Sequence, residues 1–255
     1  MSDNRGISVV SEAADLSFNP RPRVEVLRFG NGGYCCVVDD ILTSPEEWVR
    51  YAVARRAEFV SAAGSGYPGV SLATDTGAGY AMREFFGFHM RRYFDARRVV
   101  QMICRYSMVT LAPAELSPGQ WICHQDPPLG DPRLTRQASV LYLFHDETLG
   151  GTSFYEATRS FAETSQLLAD SAAMGAAQFT ERYGIQPSYL CDSNAYFRRT
   201  ATVPARWNRA VFYSGALLHT GQIDAPERLT ADPATGRLTV NVFFSCRPNL
   251  SAGPG

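Results

Sequence analysis

The chain has 255 residues, a length that favours one large domain, and its 45% hydrophobic and 19% charged residues are typical of a globular protein. The formal net charge is −1, so the basic surface by which proteins bind nucleic acids or anionic membranes is not expected. All 24 basic residues are arginine, which excludes lysine Schiff-base chemistry and a lysine-containing phosphate loop.

The cysteine pattern predicts a reducing compartment. The six cysteines show no C-x-x-C spacing, and no signal-peptide pattern opens the sequence. We therefore expect reduced thiols in a soluble, cytoplasmic protein. No apolar run reaches the ~18 to 20 residues of a membrane-spanning helix. The oligomeric state cannot be predicted from these features.

The first third of the chain predicts two helices joined by a loop. Ser44 and Pro45 are typical of a helix start, and a helix is expected over residues 45–59. Residues 64–79 contain five glycines and a proline, which predicts a long loop. A second helix is expected over residues 81–94.

Beyond residue 98 the sequence becomes rich in β-branched and aromatic residues bounded by turn formers. These segments predict strands over residues 99–111, 137–144, 195–203, 209–214 and 237–245. An alanine-rich segment over residues 161–183 predicts a helix inserted between strands. Helices followed by many short strands indicate an α+β domain with an antiparallel sandwich or barrel and helices on one outer face.

The sequence His124-Gln125-Asp126 is the sharpest local motif. In an extended chain residues i and i+2 point to the same face, so His124 and Asp126 can converge on one ion. Alternatively, Asp126 simply holds a structural histidine. His219 follows an apolar strand, and two histidines with one carboxylate form the facial triad of non-haem Fe(II) oxygenases.

Arg237 opens the last predicted strand. Arg237, Thr239 and Asn241 share one face of this strand, and Leu238 and Val240 share the other. Burying an arginine among apolar residues is costly unless an anion meets it, so an anionic ligand is a candidate partner. A second Arg-x-Thr sequence begins at Arg228, but it lies in a predicted loop.

Several motifs together resemble the Fe(II)/2-oxoglutarate-dependent dioxygenases, in particular the prolyl-4-hydroxylase-like branch and a bacterial oxygenase-like group within it. The resemblance covers residues 99–246 and rests on motifs in the expected order: Arg105-Tyr106, His124-x-Asp126, residues 138–143 followed by Gly150-Gly151, His219 and Arg237-x-Thr239. It implies a double-stranded β-helix, a jelly-roll or cupin-like core. The chain is then one domain over residues 1–255, with a helical and loop part at 1–98, a core at 99–246, an insertion at about 159–185 and a tail at 247–255.

The resemblance also implies a site and a reaction. His124, Asp126 and His219 would bind Fe(II) as the catalytic centre. Arg237 and Thr239, with Tyr142, would bind the cosubstrate 2-oxoglutarate, and O2 would be the oxidant. The expected reaction is hydroxylation of an unactivated C–H bond in a small or tethered amino-acid-like or peptide substrate, with release of succinate and CO2. Desaturation and cyclisation stay open.

Two other functions on the same fold remain as alternatives: a cupin-like metal-dependent isomerase or hydrolase, and a non-catalytic binding module. Among the weaker signals, His145 is expected not to bind metal, because it falls in a turn, and His89 is expected to be packed in a helix. The glycine-rich residues 64–69, which contain Tyr67, are a candidate lid over the site.

Overall fold

The fold combines antiparallel strands with four α-helices. The structure is a computed structural model that describes residues 17–30, 32–61 and 66–249. In this part of the chain the α-helices are α1 Pro45–Ala54, α2 Thr76–Phe85, α3 Phe161–Ala173 and α4 Ala176–Tyr183. The strands are β1 Val24–Arg28, β2 Tyr34–Val38, β3 Val60–Ser61, β4 Gly69–Ala73, β5 Ala96–Val109, β6 Thr135–Tyr142, β7 Thr152–Ala157, β8 Phe197–Val203, β9 Arg209–Ser214, β10 Leu218–Gly221 and β11 Leu238–Pro248.

The strands form two sheets. The larger sheet has eight strands in the order β1-β2-β9-β6-β11-β5-β4-β3, and the smaller has three in the order β10-β7-β8. Every pairing within them is antiparallel. A separate antiparallel bridge joins His124 to His219 of β10 and so extends the smaller sheet at that edge. Helices combined with a large antiparallel sheet confirm the predicted α+β class.

Strand β11 lies at the centre of the larger sheet, between β5 and β6. Its residues alternate as the sequence predicts. Leu238 and Val240 are buried in the cluster that includes the helices, whereas Thr239 lies opposite Ser107 of β5 and Tyr142 of β6 on the other face. One face of β11 therefore faces the helical layer, and the other face is polar at its start.

Helices α1 and α2 pack against the outer face of the larger sheet. Trp48 of α1 and Met82 of α2 are fully buried there. After α2 the chain makes a π-helical turn, and Phe86 in this turn stacks on Phe244 of β11 with ring centroids 4.2 Å apart. Fully burying a large apolar side chain contributes about 1.5 to 3 kcal/mol, so these contacts fix the helices on the sheet.

The smaller sheet packs against the inner face of the larger one. Phe154 of β7 and Val203 of β8 share an apolar cluster with Ala138 of β6 and Tyr213 of β9. The rings of Phe154 and Tyr213 are 5.2 Å apart and nearly perpendicular. The space between the two sheets is therefore a closed apolar core around β6, β7 and β9.

The predicted helices are present, with different ends. Helix α1 ends at Ala54 and a 3-10 turn follows. The second helix begins at Thr76 rather than near residue 81, because the Asp75 carboxylate accepts a hydrogen bond from the Ala78 N–H at 2.7 Å and caps it. The predicted insertion is two helices, separated at Met174, where the backbone is extended. No described helix has the length and apolarity to span a membrane.

All five predicted strands are present as β5, β6, β8, β9 and β11, with ends shifted by three residues or fewer. The loop predicted over residues 64–79 is wrong in part, because β4 pairs with β5 there. Gly69 permits this pairing, since a Cβ atom at that position would lie 2.0 Å from the Met108 carbonyl oxygen. Residues 62–65 and 250–255 lie outside the described part of the chain.

The sequence predicts only helices and loops before residue 99, but the structure also has strands in this part of the chain. Strands β1 to β4 extend the larger sheet at both edges. Strands β7 and β10 of the smaller sheet were not predicted either. The single-domain organisation stays a prediction.

Asn208 joins the start of β9 to the segment before α1. It is buried in the left-handed region at φ 59°, its amide oxygen accepts the Leu42 N–H at 3.0 Å, and its amide nitrogen donates to the Leu42 carbonyl at 3.0 Å. We predict that Asn208→Ala lowers the free energy of unfolding by about 2 to 4 kcal/mol. The variant loses two buried hydrogen bonds, and alanine tolerates the left-handed conformation less well than asparagine does. Urea denaturation measures this, with the exposed Asn249→Ala as control. Equal stability of the two variants would contradict it.

Candidate metal centre

His124, Asp126 and His219 come together at the edge of the smaller sheet. Their potential ligand atoms all lie within 4.8 Å of one another. In the described residues, no other group of three or more histidine, cysteine or acidic side chains has this geometry. The structure therefore brings together the three predicted metal ligands.

Backbone hydrogen bonds fix the three ligands. The His124 N–H donates to the His219 carbonyl at 3.0 Å, and the His219 N–H donates to the His124 carbonyl at 2.9 Å. The Asp126 N–H donates to the Gly215 carbonyl at 2.8 Å. The backbone at this bridge is extended and places His124 and Asp126 on one side, as their i, i+2 spacing predicts.

The His219 ring is held in one orientation. Its Nδ1 lies 2.8 Å from the Leu217 carbonyl oxygen, so the geometry assigns the proton to Nδ1. Nε2 then carries the lone pair and lies 3.9 Å from Oδ1 of Asp126. The Tyr213 ring packs edge-on against the imidazole at 4.6 Å. This arrangement is typical of a metal-ligating histidine whose second nitrogen is fixed by a carbonyl.

The surroundings keep both histidines neutral. Burial lowers the pKa of His219 to about 4. His124 is open to the cavity, and desolvation by the surrounding protein atoms together with the nearby His219 lowers its pKa as well. Burial raises the pKa of Asp126, and electrostatic interactions with His124 and Arg136 oppose that rise. Neutral imidazoles are the form that binds metal.

The Asp126 carboxylate fits a divalent cation. Its side chain is only 4% exposed, and Oδ2 is buried without a hydrogen-bond partner in the described residues. A buried carboxylate oxygen in this state costs free energy that a bound cation would remove. Two imidazoles and one carboxylate suit non-haem Fe(II) and leave coordination positions open for other ligands.

Arg237 is buried between the two sheets. Its side chain donates from Nε to the Leu149 and Gly150 carbonyls at 3.0 and 3.1 Å, and from Nη2 to the Gly151 carbonyl at 2.8 Å. The residue is 4% exposed, and no acidic side chain forms an ion pair with it in the part of the chain described. Among the described residues this buried guanidinium therefore contacts carbonyl groups and no carboxylate, which leaves it available to pair with an anion.

Hydroxyl groups surround this guanidinium. The Tyr142 ring lies 6.0 Å from the Arg237 Cζ atom, and its hydroxyl is 2.7 Å from Thr152 Oγ1. Burial raises the pKa of Tyr67, while Arg237 and a hydrogen bond to Thr239 lower it. The Thr239 hydroxyl also donates to the Ser107 carbonyl at 3.2 Å. These residues form a polar pocket with one positive charge.

Tyr67 therefore has a different environment from the one expected for a lid. Its hydroxyl is buried beside Thr239 rather than placed over the mouth of the cavity. Gly64 and Ser65, the first two residues of the predicted lid, lie outside the described residues. Tyr189, whose hydroxyl donates to the Leu111 carbonyl at 2.7 Å, also lies near Arg237 and was not predicted. No local motif marks Tyr189 in the sequence.

The polar pocket and the metal ligands are adjacent. Gly221 is two residues after His219 in β10, and a Cβ atom on Gly221 would lie 3.7 Å from the Arg237 guanidinium. Two residues of a strand span about 6.6 Å, so His219 and the guanidinium are separated by a distance of that order. This is comparable to the length of a five-carbon dicarboxylate.

The remaining candidates lie elsewhere. Arg228 is half-exposed and forms an ion pair with Asp146, with Nη2 and Oδ2 2.5 Å apart. His145 stacks on Trp207 with ring centroids 4.0 Å apart, and His89 packs on a phenylalanine of α2. Cys123 is buried, which raises its pKa and favours the thiol. None of these four is part of the metal-ligand group.

Gly215 supports the Asp126 carboxylate. A Cβ atom at this position would lie 2.5 Å from Asp126 Oδ2 and 3.0 Å from its Cβ. We predict that Gly215→Ala displaces the carboxylate and weakens Fe(II) binding at least about tenfold, the equivalent of ~1.4 kcal/mol. Anaerobic metal titration measures this. Gly130→Ala is the control, because nothing lies within 4 Å of its added Cβ. Unchanged Fe(II) affinity in Gly215→Ala would contradict the assignment of Asp126.

The structure is similar to solved structures of low sequence identity. The nogalamycin-biosynthesis protein SnoN, described as a non-heme alpha ketoglutarate dependent epimerase, is 15% identical, with 87% of this chain and 86% of that chain covered and a TM-score of 0.44. A prolyl-4-hydroxylase of Pseudomonas putida is 13% identical, with 85% and 93% covered and a TM-score of 0.42. HygX of Streptomyces hygroscopicus, solved with nickel, 2-oxoglutarate and hygromycin B, is 11% identical, with 85% and 83% covered and a TM-score of 0.41.

Comparison of the sequence alone gives a family. No protein of curated function matches it. A family model described as "Family of unknown function (DUF6445)" matches residues 20–244. This match extends over both sheets and includes His124, Asp126, His219 and Arg237. The chain therefore belongs to the DUF6445 family.

Proposed function

We propose that the protein is a non-haem Fe(II)/2-oxoglutarate-dependent oxygenase that hydroxylates a small, amino-acid-like or peptide substrate. In the overall reaction the substrate C–H bond becomes C–OH. One O2 and one 2-oxoglutarate are consumed, and one succinate and one CO2 are released, so one oxygen atom enters each organic product. Bound Fe(II) supplies the activation of O2.

The observation that carries the proposal is the position of Arg237. A buried guanidinium without an ion-pair partner in the described residues lies about one dicarboxylate length from the ligand His219. A cosubstrate that carries a carboxylate at each end can bind the metal with one end and Arg237 with the other. Thr239 and Tyr142 complete the second carboxylate pocket, and Tyr67 adds a hydroxyl to it.

The strand order supports the double-stranded β-helix. Eight core strands follow in chain order: β5, the bridge at His124, β6, β7, β8, β9, β10 and β11. Numbered from one to eight, they form sheets of order 1-8-3-6 and 2-7-4-5. Each sheet thus alternates strands from the two halves of the core, as in a jelly roll. We propose that residues 99–246 form this core.

The chain's own residues would orient the reactants. His124 and Asp126 on one side and His219 on the other hold the ion at the edge of the smaller sheet, where the cavity opens beside Ile122 and Leu168. Arg237 fixes the cosubstrate from the interior, so the substrate enters from the cavity side. The apolar core between the sheets keeps water from the buried end of the cosubstrate.

The two alternative functions explain less of the site. A metal-dependent isomerase or hydrolase would need the triad but not a buried Arg237 that has no ion pair among the described residues. A binding module without catalysis would not need three converging ligands with neutral imidazoles. A cytoplasmic location stays a prediction of the sequence.

We predict that His124→Ala, Asp126→Ala and His219→Ala each abolish Fe(II)-dependent formation of succinate from 2-oxoglutarate, because a site of three ligands has no redundancy. Succinate is measured in the presence of Fe(II), 2-oxoglutarate and O2. His145→Ala should retain wild-type succinate formation, since His145 stacks on Trp207 outside the site. Wild-type turnover in the three ligand variants would refute the metal assignment.

We predict that Arg237→Ala weakens 2-oxoglutarate binding by about 2 to 4 kcal/mol, since a charge-assisted pair is lost in a buried pocket. Arg237→Lys keeps the positive charge and should therefore bind 2-oxoglutarate more tightly than Arg237→Ala. This comparison separates the effect of the charge from the effect of losing the three hydrogen bonds to carbonyl groups. Arg228→Ala should bind as wild type, because Arg228 pairs with Asp146 at the surface. Calorimetric titration of 2-oxoglutarate measures all three. A larger loss of 2-oxoglutarate affinity in Arg228→Ala than in Arg237→Ala would show that the assignment to Arg237 is wrong.

A further inference from the structure

A second arginine, Arg136, lies beside the metal ligands at the start of β6. The Gly215 N–H donates to the Arg136 carbonyl at 3.0 Å, and Gly215 in turn accepts the Asp126 N–H at 2.8 Å. Arg136 shares its face of β6 with Ala138 and Tyr142, whose side chains lie between the sheets. The Arg136 side chain therefore extends on the side where Asp126 covers Gly215.

Arg136 and Arg237 lie at opposite ends of the site. Arg237 is close to Tyr142, and Tyr142 is six residues from Arg136 on the same face of β6, a separation of about 20 Å along the strand. Asp126 lies at the Arg136 end. The metal ligands are thus placed between a guanidinium on the proposed cosubstrate side and a guanidinium on the other side.

The Arg136 guanidinium has no hydrogen-bonded or ion-paired partner among the described residues, although its charge acts on Asp126 from beyond 4 Å. It makes neither a hydrogen bond nor an ion pair within 4 Å, and its Nε is buried without an acceptor. Arg133, three residues earlier, shows the ordinary surface alternative, because it pairs with Asp131 at 2.9 Å and is 74% exposed. A half-buried guanidinium whose buried Nε has no acceptor among the described residues is suited to bind an anion.

An apolar row lies next to Arg136 on the same face of the larger sheet. Phe243 of β11 is directly opposite Ile103 of β5 and Ala138 of β6. Ile103 is 38% exposed although it lies on the sheet face that carries the site. Ala138 in this row is two residues from Arg136 on the same face of β6. The apolar part of an anion bound at the guanidinium can therefore pack against Phe243.

We infer that Arg136 binds the carboxylate of the primary substrate, and that this substrate is an apolar monocarboxylate. The inference deepens the proposed function and rests on it for the identity of the site. A single negative charge matches the single guanidinium, which makes no hydrogen bond or ion pair among the described residues.

The test measures binding of three probes that share a phenyl ring: N-acetyl-L-phenylalanine, its primary amide and phenyl phosphate. Ligand-observed saturation-transfer NMR is recorded with the full-length protein and Zn(II), which supports no oxidation. The variants are Arg136→Gln, Arg136→Lys and Arg133→Gln as the matched control.

We expect the carboxylate to bind the wild-type protein and Arg133→Gln equally, and to bind Arg136→Gln at least tenfold more weakly. Arg136→Lys keeps the positive charge and should bind the carboxylate more tightly than Arg136→Gln does. Weak binding in Arg136→Gln is then due to the lost charge and not to misfolding. Equal binding of the carboxylate and the amide, unchanged affinity in Arg136→Gln, or preferential binding of phenyl phosphate would each overturn the inference. The NMR result is independent of succinate formation, so failure of the oxygenase proposal is seen separately.

Discussion

The site depends on the short antiparallel bridge between His124 and His219. Two peptide hydrogen bonds across this bridge bring together ligands that are far apart in sequence. Backbone bonds of this kind need no particular side chain, so both imidazoles stay free for metal. Asp126 is then placed by its own N–H bond to Gly215, and the absence of a side chain at Gly215 leaves room for the carboxylate.

The electrostatics follow from this placement. Three ligands at the edge of a closed apolar core are desolvated, which favours neutral imidazoles and leaves one carboxylate oxygen without a partner. Two arginines without ion pairs in the described residues, Arg136 and Arg237, flank the ligands from opposite sides. A cation between them, with one anionic ligand on each side, would balance charges that the protein alone leaves uncompensated. The proposed cosubstrate and the proposed substrate are both anions, as this balance requires.

Local patterns were sufficient for the parts of the fold and site that depend on them. Alternation in β11 separates Thr239 from Val240, and the i, i+2 spacing of His124 and Asp126 survives although the backbone there is a bridge and not a strand. Strands β1 to β4, β7 and β10 were missed because each has six residues or fewer and is defined by its pairing partners rather than by its own sequence. The sequence predicts a lid role for Tyr67. This differs from the structure because the burial of Tyr67 beside Thr239 depends on the pairing of β4 with β5, which no local pattern indicates. Arg136 carries no motif and is distinguished only by what lies around it.

Joint binding of a metal and 2-oxoglutarate at one site is measured by the visible absorption spectrum of the anaerobic protein with Fe(II) and 2-oxoglutarate. We expect a metal-to-ligand charge-transfer band that requires both additions, because only chelation of the keto acid to the protein-bound iron gives it. A spectrum that shows no such band, with Fe(II) and 2-oxoglutarate each in excess over folded protein, would show that the metal and the keto acid do not bind together at one site.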